Sequence, residues 1–237
     1  MEKIAILVDG GFYRRSALRF WGEKTPSNRA KELIDYCYNH VNIEGDSLYR
    51  IFYYDCLPSG KKVYHPLTDS TFDFKKTELF TWMHEFIEEL KTKRHVAIRL
   101  GVLSDEQAYF ILRPDVVKDL CRKKRTVEDL TLSDFKASVA QKGVDMKIGV
   151  DIASLAYKQQ VSKIVLISGD SDFVPAAKLA RREGIDFILD PMANNIKPDL
   201  SEHIDGLRYF CGTSKKKNAY KQRIDRNRKR MNRKNNE

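Results

Sequence analysis

The sequence predicts an α/β fold built on an open, mostly parallel sheet. Two short apolar runs, Lys3–Val8 and Lys163–Ser168, are rich in Ile, Leu and Val and are typical of strands buried on both faces. After the second run the pattern continues with a helix at Asp172–Arg182, a stop at Gly184 and a strand at Ile185–Asp190. This strand, helix, strand order favours parallel pairing through a right-handed crossover.

The first quarter of the chain supplies three further elements. Asp9-Gly10-Gly11 follows the first strand and is interpreted as a tight turn, where the backbone can approach a ligand closely. A helix is predicted from Asn28 to about His40, with Ser27 as its N-cap. A second strand is predicted at Leu48–Cys56, which is rich in Tyr, Phe and Ile.

The segment of about 57–136 breaks this rhythm and is interpreted as an insertion. It contains a predicted amphipathic helix at Phe74–Lys93 and two strand-like runs, His95–Leu103 and Glu106–Leu112, that favour a hairpin. A short helix follows from Pro114. The cluster Arg122-Lys123-Lys124-Arg125 at its end fits either a phosphate contact or a solvated helix terminus, where cations suit the dipole.

Positive charge is concentrated at one end of the chain. The formal net charge is +10, and residues 213–237 hold 11 Lys or Arg against two acidic residues. The rest is nearly neutral. The last segment has almost no apolar periodicity, so it is predicted to be disordered alone and to act as a basic tail. A solubilising appendage remains the alternative to a nucleic-acid tether.

Composition favours a soluble, cytoplasmic protein with one domain at 1–212. No apolar run approaches the roughly 20 residues that cross a bilayer, and the N-terminal apolar stretch is too short for a signal peptide. The four cysteines have no metal-site spacing and are expected to be reduced and mostly buried. His84, in an apolar helical pattern, is expected to pack rather than to bind a metal.

Four aspartates carry the strongest functional signal. Two runs that read as parallel strands are each followed by acidic residues, and open α/β sheets bind ligands outside the carboxyl ends of their strands. Carboxylates brought together repel one another, so such a cluster usually holds a divalent cation. The sequence therefore indicates a metal-dependent enzyme. The four residues are Asp9, Asp145, Asp170 and Asp172.

Two of these aspartates also have a purely structural interpretation. Asp172 is placed to cap the helix that follows it, a role compatible with metal binding. Asp145 lies in the first turn of a predicted helix from Gly143 to about Gln159, where acidic residues are common. Asp151, six residues further along, faces away from Asp145 because successive helical residues turn by about 100°. A supporting or packing role is expected for Asp151.

The motifs resemble those of the NYN domains, which are PIN-like nucleases. The resemblance covers residues 1–56 and 137–212. It is carried by four segments: Val8-Asp9-Gly10-Gly11-Phe12, Lys142-Gly143-Val144-Asp145 with Asp151, Leu166 to Phe173, and a closing segment of Leu200 to Asp205 with Leu207 to Phe210.

The resemblance implies a doubly wound, Rossmann-like sheet with helices on both faces, and RNA as the usual substrate. It also implies an acidic pocket that holds Mg²⁺ or Mn²⁺ through the four aspartates, with Ser168 supporting the metal through its hydroxyl. Many members have Asn two or three residues after the first Asp, where this chain has Gly11 and Phe12. The middle segment of 57–136 is not explained by the resemblance, and substrate selection is expected there.

The resulting hypothesis is a metal-dependent ribonuclease, most simply an endoribonuclease and possible homo-oligomer, that uses metal-activated water. Lys142 is expected to contact a substrate phosphate, and Gly10 and Gly11 to let substrate approach the backbone. One rival is an inactive RNA-binding adaptor of the same fold. The other is a haloacid-dehalogenase-type phosphohydrolase, which would need a second Asp where this chain has Gly11.

Overall fold

The computed structural model describes residues 1–42 and 44–211. The basic tail of 213–237 lies outside the described residues. The strands are β1 (Glu2–Asp9), β2 (Asp46–Asp55), β3 (Lys62–His65), β4 (Ser70–Asp73), β5 (Val96–Leu100), β6 (Val102–Leu112), β7 (Phe135–Lys142), β8 (Lys163–Ile167), β9 (Asp186–Asp190) and β10 (Gly206–Leu207). The helices are α1 (Gly10–Trp21), α2 (Pro26–Tyr38), α3 (Glu78–Lys91), α4 (Pro114–Cys121), α5 (Val144–Tyr157), α6 (Val174–Arg182) and α7 (Pro198–Glu202).

Six strands form one parallel sheet in the order β10-β9-β8-β1-β2-β5. The chain winds outward from β1 in both directions, so the predicted doubly wound α/β fold is confirmed. The direction of winding reverses between β1 and β8, and this junction is the usual ligand site of such sheets. Val8 pairs with Ile167 there, which places Asp9 and Ser168 side by side at the carboxyl edge.

Two apolar layers cover the sheet because side chains alternate along each strand. Ile4, Ile6 and Val8 pack with α1, α2 and α3, while Ala5 and Leu7 pack with α5 and α6. Both layers are fully buried at β1, which has a neighbouring strand on each side. The central strand and the residues at its end are therefore held rigidly.

The predicted hairpin of His95–Leu103 and Glu106–Leu112 is wrong. β5 pairs with β2 in parallel and completes the edge of the central sheet, whereas β6 pairs with β7 antiparallel. The reason is α3, which crosses over from β2 to β5, and strands joined by a helical crossover pair in parallel. The Gly101 N–H extends this pairing by donating to the Asp55 carbonyl oxygen at 2.8 Å.

The inserted part of the chain is consequently narrower than the predicted 57–136. α3 and β5 belong to the doubly wound core, with Phe86 of α3 packed against Tyr53 of β2 at a ring separation of 5.6 Å. What lies outside the central sheet is the β3–β4 hairpin and the β6–α4–β7 arm. These two share a small aromatic cluster, in which His65 contacts both Phe110 and Phe135.

Helix starts also differ from the prediction. α1 begins at Gly10, directly after β1, where a turn was expected. Thr25 rather than Ser27 caps α2, because Pro26 occupies the first helical position and needs no N–H partner. A short 3₁₀ turn, Ser171–Phe173, precedes α6, and its cap is Asp170 rather than Asp172.

The cysteine prediction is confirmed: Cys37, Cys56 and Cys211 are buried, Cys121 is exposed, and all four are free thiols. Within 1–42 and 44–211, no helix has both the length and the apolar character needed to cross a membrane.

Candidate active site

The end of β1 places Asp9 at the point where the winding of the sheet reverses. One carboxylate oxygen of Asp9, Oδ1, accepts the Phe12 backbone N–H at 3.0 Å and so caps α1. The other, Oδ2, accepts the Ser168 hydroxyl at 3.2 Å. These two contacts fix the carboxylate at the sheet edge.

Ser168 joins the two central strand ends. Its side chain is fully buried, and its Oγ accepts the Asp170 backbone N–H at 3.3 Å while its hydroxyl donates to Asp9. The hydroxyl thus sets the position of Asp9 and of the loop that carries Asp170. The expectation from the family resemblance that Ser168 supports a metal through its hydroxyl stays a prediction.

Asp170 and Asp172 lie in the loop between β8 and α6, and both side chains are exposed. Asp170 Oδ1 accepts the Asp172 backbone N–H at 3.0 Å, which makes Asp170 the cap of the 3₁₀ turn. The cap of this turn is therefore Asp170 and not Asp172.

Asp145 lies on a different element from the other three aspartates, in the first turn of α5. The chain enters this helix through Gly143, whose φ of 83° is a left-handed conformation that side chains rarely adopt. Ile148 and Ile152, on the same helix, are fully buried against the sheet. This packing aims the start of α5 at the carboxyl edge.

The carboxylates interact electrostatically across the site. Burial raises the pKa of Asp9, and the nearby charge of Asp145 raises it further, while the Phe12 N–H, the Ser168 hydroxyl and Arg15 act in the opposite direction. The pKa of Asp145 is raised by partial burial and then by Asp170 and Asp172. Asp145 is therefore the link that brings all four aspartates into one electrostatic group.

The charge of Arg15 acts on Asp9, but the group has no paired counter-charge within the described residues. Among the described residues, none of the four aspartates forms a salt bridge of 4.0 Å or less with Lys, Arg or His. Within the same part of the chain, no three acidic, His or Cys side chains are already grouped tightly enough to enclose a metal ion.

The donor set nevertheless fits a hard divalent cation. Mg²⁺ prefers carboxylate oxygens and keeps several waters, so it needs only one or two direct protein ligands. Asp145, Asp170 and Asp172 are exposed side chains, and Asp9 is held at the sheet edge. A bound cation would also relieve the repulsion that raises the pKa of Asp145.

A comparison with protein families identifies the chain's relatives. The model of the NYN domain matches residues 60–204. The chain belongs to the NYN domain family. No curated protein matches it. Among solved structures, the chain is similar to a protein of unknown function from Vibrio parahaemolyticus, at 15% identity and a TM-score of 0.44, over 87% of this chain and 91% of that one.

Membership in the NYN family places the chain among PIN-like nucleases, which typically use divalent metals. Asp145, Asp170 and Asp172 lie within the matched range, and Asp9 precedes it. The match also takes in most of the middle segment that the motif resemblance left unexplained. This agrees with the structure, in which α3 and β5 are part of the sheet core.

The remaining residues that were predicted to contact substrate are Lys142, Gly11 and Gly10. Lys142 is exposed at the end of β7, three residues before Asp145. Gly11 is half-buried and borders the Asp9 carboxylate. Gly10 is buried, and a Cβ there would lie 2.4 Å from the Tyr53 ring, so close packing alone requires a glycine at that position.

Sequence reasoning missed two arginines beside the site because it did not predict α1. Arg14 donates two hydrogen bonds to the buried Asp55, from Nε at 2.9 Å and Nη2 at 3.1 Å. Arg15, the next residue, is exposed and lowers the pKa of Asp9 through its charge. The sequence signal that could have revealed them is their position one to two helical turns after Asp9, the acidic residue that ends β1.

Asp151 has the supporting contacts expected of it. Its Oδ2 accepts the Tyr54 hydroxyl at 2.7 Å and the Arg99 Nε–H at 3.3 Å. Asp151 therefore ties α5 to β2 and β5, away from the four site aspartates.

Proposed function

We propose that this NYN protein is a metal-dependent ribonuclease that hydrolyses RNA phosphodiester bonds, acting as an endoribonuclease. The observation that carries the proposal is the group of four aspartates at the switch point of the sheet: none of them forms a salt bridge within the described residues, and the charge of Asp145 acts together with those of the other three. A divalent cation bound from solution would neutralise the repulsion between these carboxylates, which explains why the fold holds them close together.

Asp9, Asp145 and Asp170 would hold the cation directly, and Asp172 directly or through water. When bound, Mg²⁺ or Mn²⁺ supplies neutralisation of phosphate charge and acidification of a water molecule. The protein's part is positional: the Ser168 hydroxyl and the Phe12 N–H keep the Asp9 carboxylate at the sheet edge, and Asp170, which caps its turn through Oδ1, would offer its other carboxylate oxygen to the ion.

RNA is the proposed partner, and the cytoplasm the proposed location. Four carboxylates alone would repel a phosphodiester, so cations near the site are needed to attract it. Arg15 and Lys142 are exposed; the charge of Arg15 acts on Asp9, and Lys142 precedes Asp145 by three residues. The charge of residues 213–237 would add affinity without sequence preference.

The decisive experiment compares two substitutions on neighbouring elements of the site with a matched control. Asp145→Asn and Asp170→Asn remove a proposed ligand, while Asp151→Asn makes the same chemical change six residues further along α5. Cleavage of a labelled single-stranded RNA with Mg²⁺ or Mn²⁺ should fall more than about a hundredfold for the first two. It should stay within severalfold of wild type for the control.

Undiminished cleavage by a folded Asp170→Asn protein would overturn the assignment. A phosphomonoester assay run beside it addresses the phosphohydrolase alternative, because such an enzyme would release phosphate from p-nitrophenyl phosphate and leave RNA intact. RNA binding without cleavage in either metal would favour the adaptor.

The tail is tested by deleting residues 213–237. The loss of 11 cations should weaken RNA binding and flatten its dependence on salt concentration, because fewer counterions are released. Binding is measured by fluorescence anisotropy from low to moderate salt. Equal affinity and equal salt slope in the two proteins would reject tethering and leave only a solubilising role.

A further inference from the structure

A groove lies beside the acidic site, between α1, the α1–α2 connection and the start of α3. Its cavity volume is about 410 Å³, within the range of small-ligand sites. Residues from three helices and one loop form the groove, and their order along the chain does not predict it. The lining residues that matter are Arg14, Arg15, Leu18, Lys24, Leu79 and Trp82.

Arg15 connects this groove to the site. Its Nη1 lies 3.5 Å from the position that a Cβ on Gly11 would take, so the guanidinium lies over the first turn of α1. Its charge is close enough to Asp9 to lower the pKa of that carboxyl. One end of the groove is therefore next to the reaction site proposed above.

Arg15 also differs from the other cations of the groove in having no partner among the described residues. Arg14 is bound to Asp55, and Lys24 donates to Glu32 at 2.6 Å. Arg29 is buried and paired with Glu32. Arg15 is exposed, and within residues 1–42 and 44–211 no hydrogen bond or ion pair engages its guanidinium. It is the cation available to an incoming anion.

The rest of the groove is apolar enough for a nucleobase. Leu18 and Leu79 are 51% and 57% exposed, an unusual position for two leucines that face one cavity. Trp82 completes the wall. Its ring stacks on Phe86 at 5.0 Å, and its Nε1–H donates to the Lys24 carbonyl at 2.9 Å, which fixes the indole in place.

We propose that this groove binds one nucleotide of single-stranded RNA next to the cleaved bond. Arg15 would contact the phosphate, and Leu18, Leu79 and Trp82 the unpaired base. The inference rests on the proposed ribonuclease function. A base inside a duplex hides both faces by stacking, so only an unpaired base can use such a wall.

The two acidic residues of the groove suit base edges rather than phosphates. Glu23 and Glu78 also line the cavity, and their carboxylates accept hydrogen bonds but donate none. They can pair with amino or imino groups of a base and repel a phosphate. The backbone of a bound strand is thus directed toward Arg15, at the end nearest Asp9.

The test uses the full chain with Mn²⁺ and one RNA sequence, presented as a single strand and as a duplex. Arg15→Ala removes the free cation. Arg19→Ala is the matched control, because Arg19 lies one turn further along α1 and donates to Asn194 at 2.7 Å outside the groove. Leu79→Asp alters the apolar wall in the first turn of α3, where an acidic residue suits the helix dipole.

We expect Arg15→Ala to raise the KM for the single strand about tenfold and to reduce the salt slope of its binding by about 0.7. Leu79→Asp should raise KM similarly, and Arg19→Ala should stay within about twofold of wild type, as surface changes usually do. The duplex should be cut more slowly than the single strand.

Two results overturn the groove while leaving the nuclease intact. These are a wild type that cuts RNA while Arg15→Ala and Arg19→Ala have equal KM values, and equal cutting of duplex and single strand. A wild type that neither cuts nor binds RNA would instead refute the proposed function, and the groove inference with it.

Discussion

Two sets of aspartates lie at the same carboxyl edge of the sheet and differ in how their charge is balanced. Asp55 and Asp190 end β2 and β9, on either side of the centre, and both are buried. Asp55 accepts from Arg14, from the Tyr53 hydroxyl at 2.7 Å and from the Cys56 N–H at 2.8 Å. Asp190 is hydrogen-bonded to the buried His40 at 2.8 Å.

The central set consists of Asp9, Asp145, Asp170 and Asp172. Asp9 and Asp170 receive hydrogen bonds from N–H or hydroxyl groups, Arg15 acts on Asp9 through its charge, and none of the four forms a salt bridge within the described residues. The difference teaches that an acidic strand end is not by itself a site. Where the fold supplies the partner, the carboxylate stabilises the structure. Where the fold gathers carboxylates without a salt bridge, we expect a cation from solution, and carboxylate oxygens suit a divalent ion.

The largest effect on stability is expected from Asp55→Ala. The change leaves the Arg14 guanidinium, which is 24% exposed, without its carboxylate. Removing one partner of a buried pair costs about 3 kcal/mol of the free energy of unfolding. Urea denaturation with EDTA measures it. Asp172→Ala, the control from the central set, should change the free energy of unfolding by less than about 0.5 kcal/mol, because Asp172 is exposed and is not the cap of its turn. Equal losses in the free energy of unfolding of the two variants would contradict the distinction between the two sets of aspartates.

A medium effect is expected from metal addition. At a cation concentration ten times its Kd, binding stabilises the folded state by about 1.4 kcal/mol. For a chain of this size that raises Tm by about 3 to 5 °C. Thermal unfolding with Mn²⁺ and after EDTA measures the shift, which needs no RNA and no activity.

The same measurement on three variants locates the ion. Asp145→Asn and Asp170→Asn should lose the Mn²⁺-dependent shift, and Asp151→Asn should keep it. A shift of full size in Asp145→Asn would place the cation elsewhere, and the contrast between the two sets of aspartates would lose its functional meaning.

The contact between Asp9 and Ser168 could be predicted from the sequence because it follows from local patterns. Apolar runs mark β1 and β8, parallel neighbours end at one edge, and Asp9 and Ser168 therefore meet there. Local patterns were not enough to predict Asp145 as a site residue, because only the family resemblance connected the start of α5 to that edge of the sheet. In the structure, the charges of Asp170 and Asp172 raise the pKa of Asp145 after the effect of burial.

Long-range partners could not be predicted from the same patterns. Asp55 follows a strand just as Asp9 does, and only the fold shows that Arg14, 41 residues away, balances it. His40 and Asp190 are 150 residues apart. The hairpin error has the same origin, because alternating side chains mark β5 as a strand without showing which strand it joins. The groove at Arg15 depends on three helices packing together, which no local pattern encodes.

The smallest effect is expected from Asp145→Asn in the metal-free protein, and its sign is the most informative. Removing this charge relieves repulsion from Asp170 and Asp172, so the variant should be more stable than wild type at neutral pH. The side chain is exposed and screened by solvent, so the gain is about 0.5 kcal/mol in the free energy of unfolding. Asp151→Asn should go the other way, because it weakens the contacts to Tyr54 and Arg99.

The gain of Asp145→Asn should also depend on pH. The pKa of Asp145 is raised in the folded state, so its ionised form destabilises the protein at neutral pH. As the pH falls through the raised pKa, wild type takes up a proton and recovers that stability. Below the unfolded value of 3.8 the carboxyl is protonated in both states, and the difference between variant and wild type should vanish. Urea denaturation in EDTA across this pH range measures the difference. A variant less stable than wild type at neutral pH would mean that Asp145 is balanced within the fold, as Asp55 is.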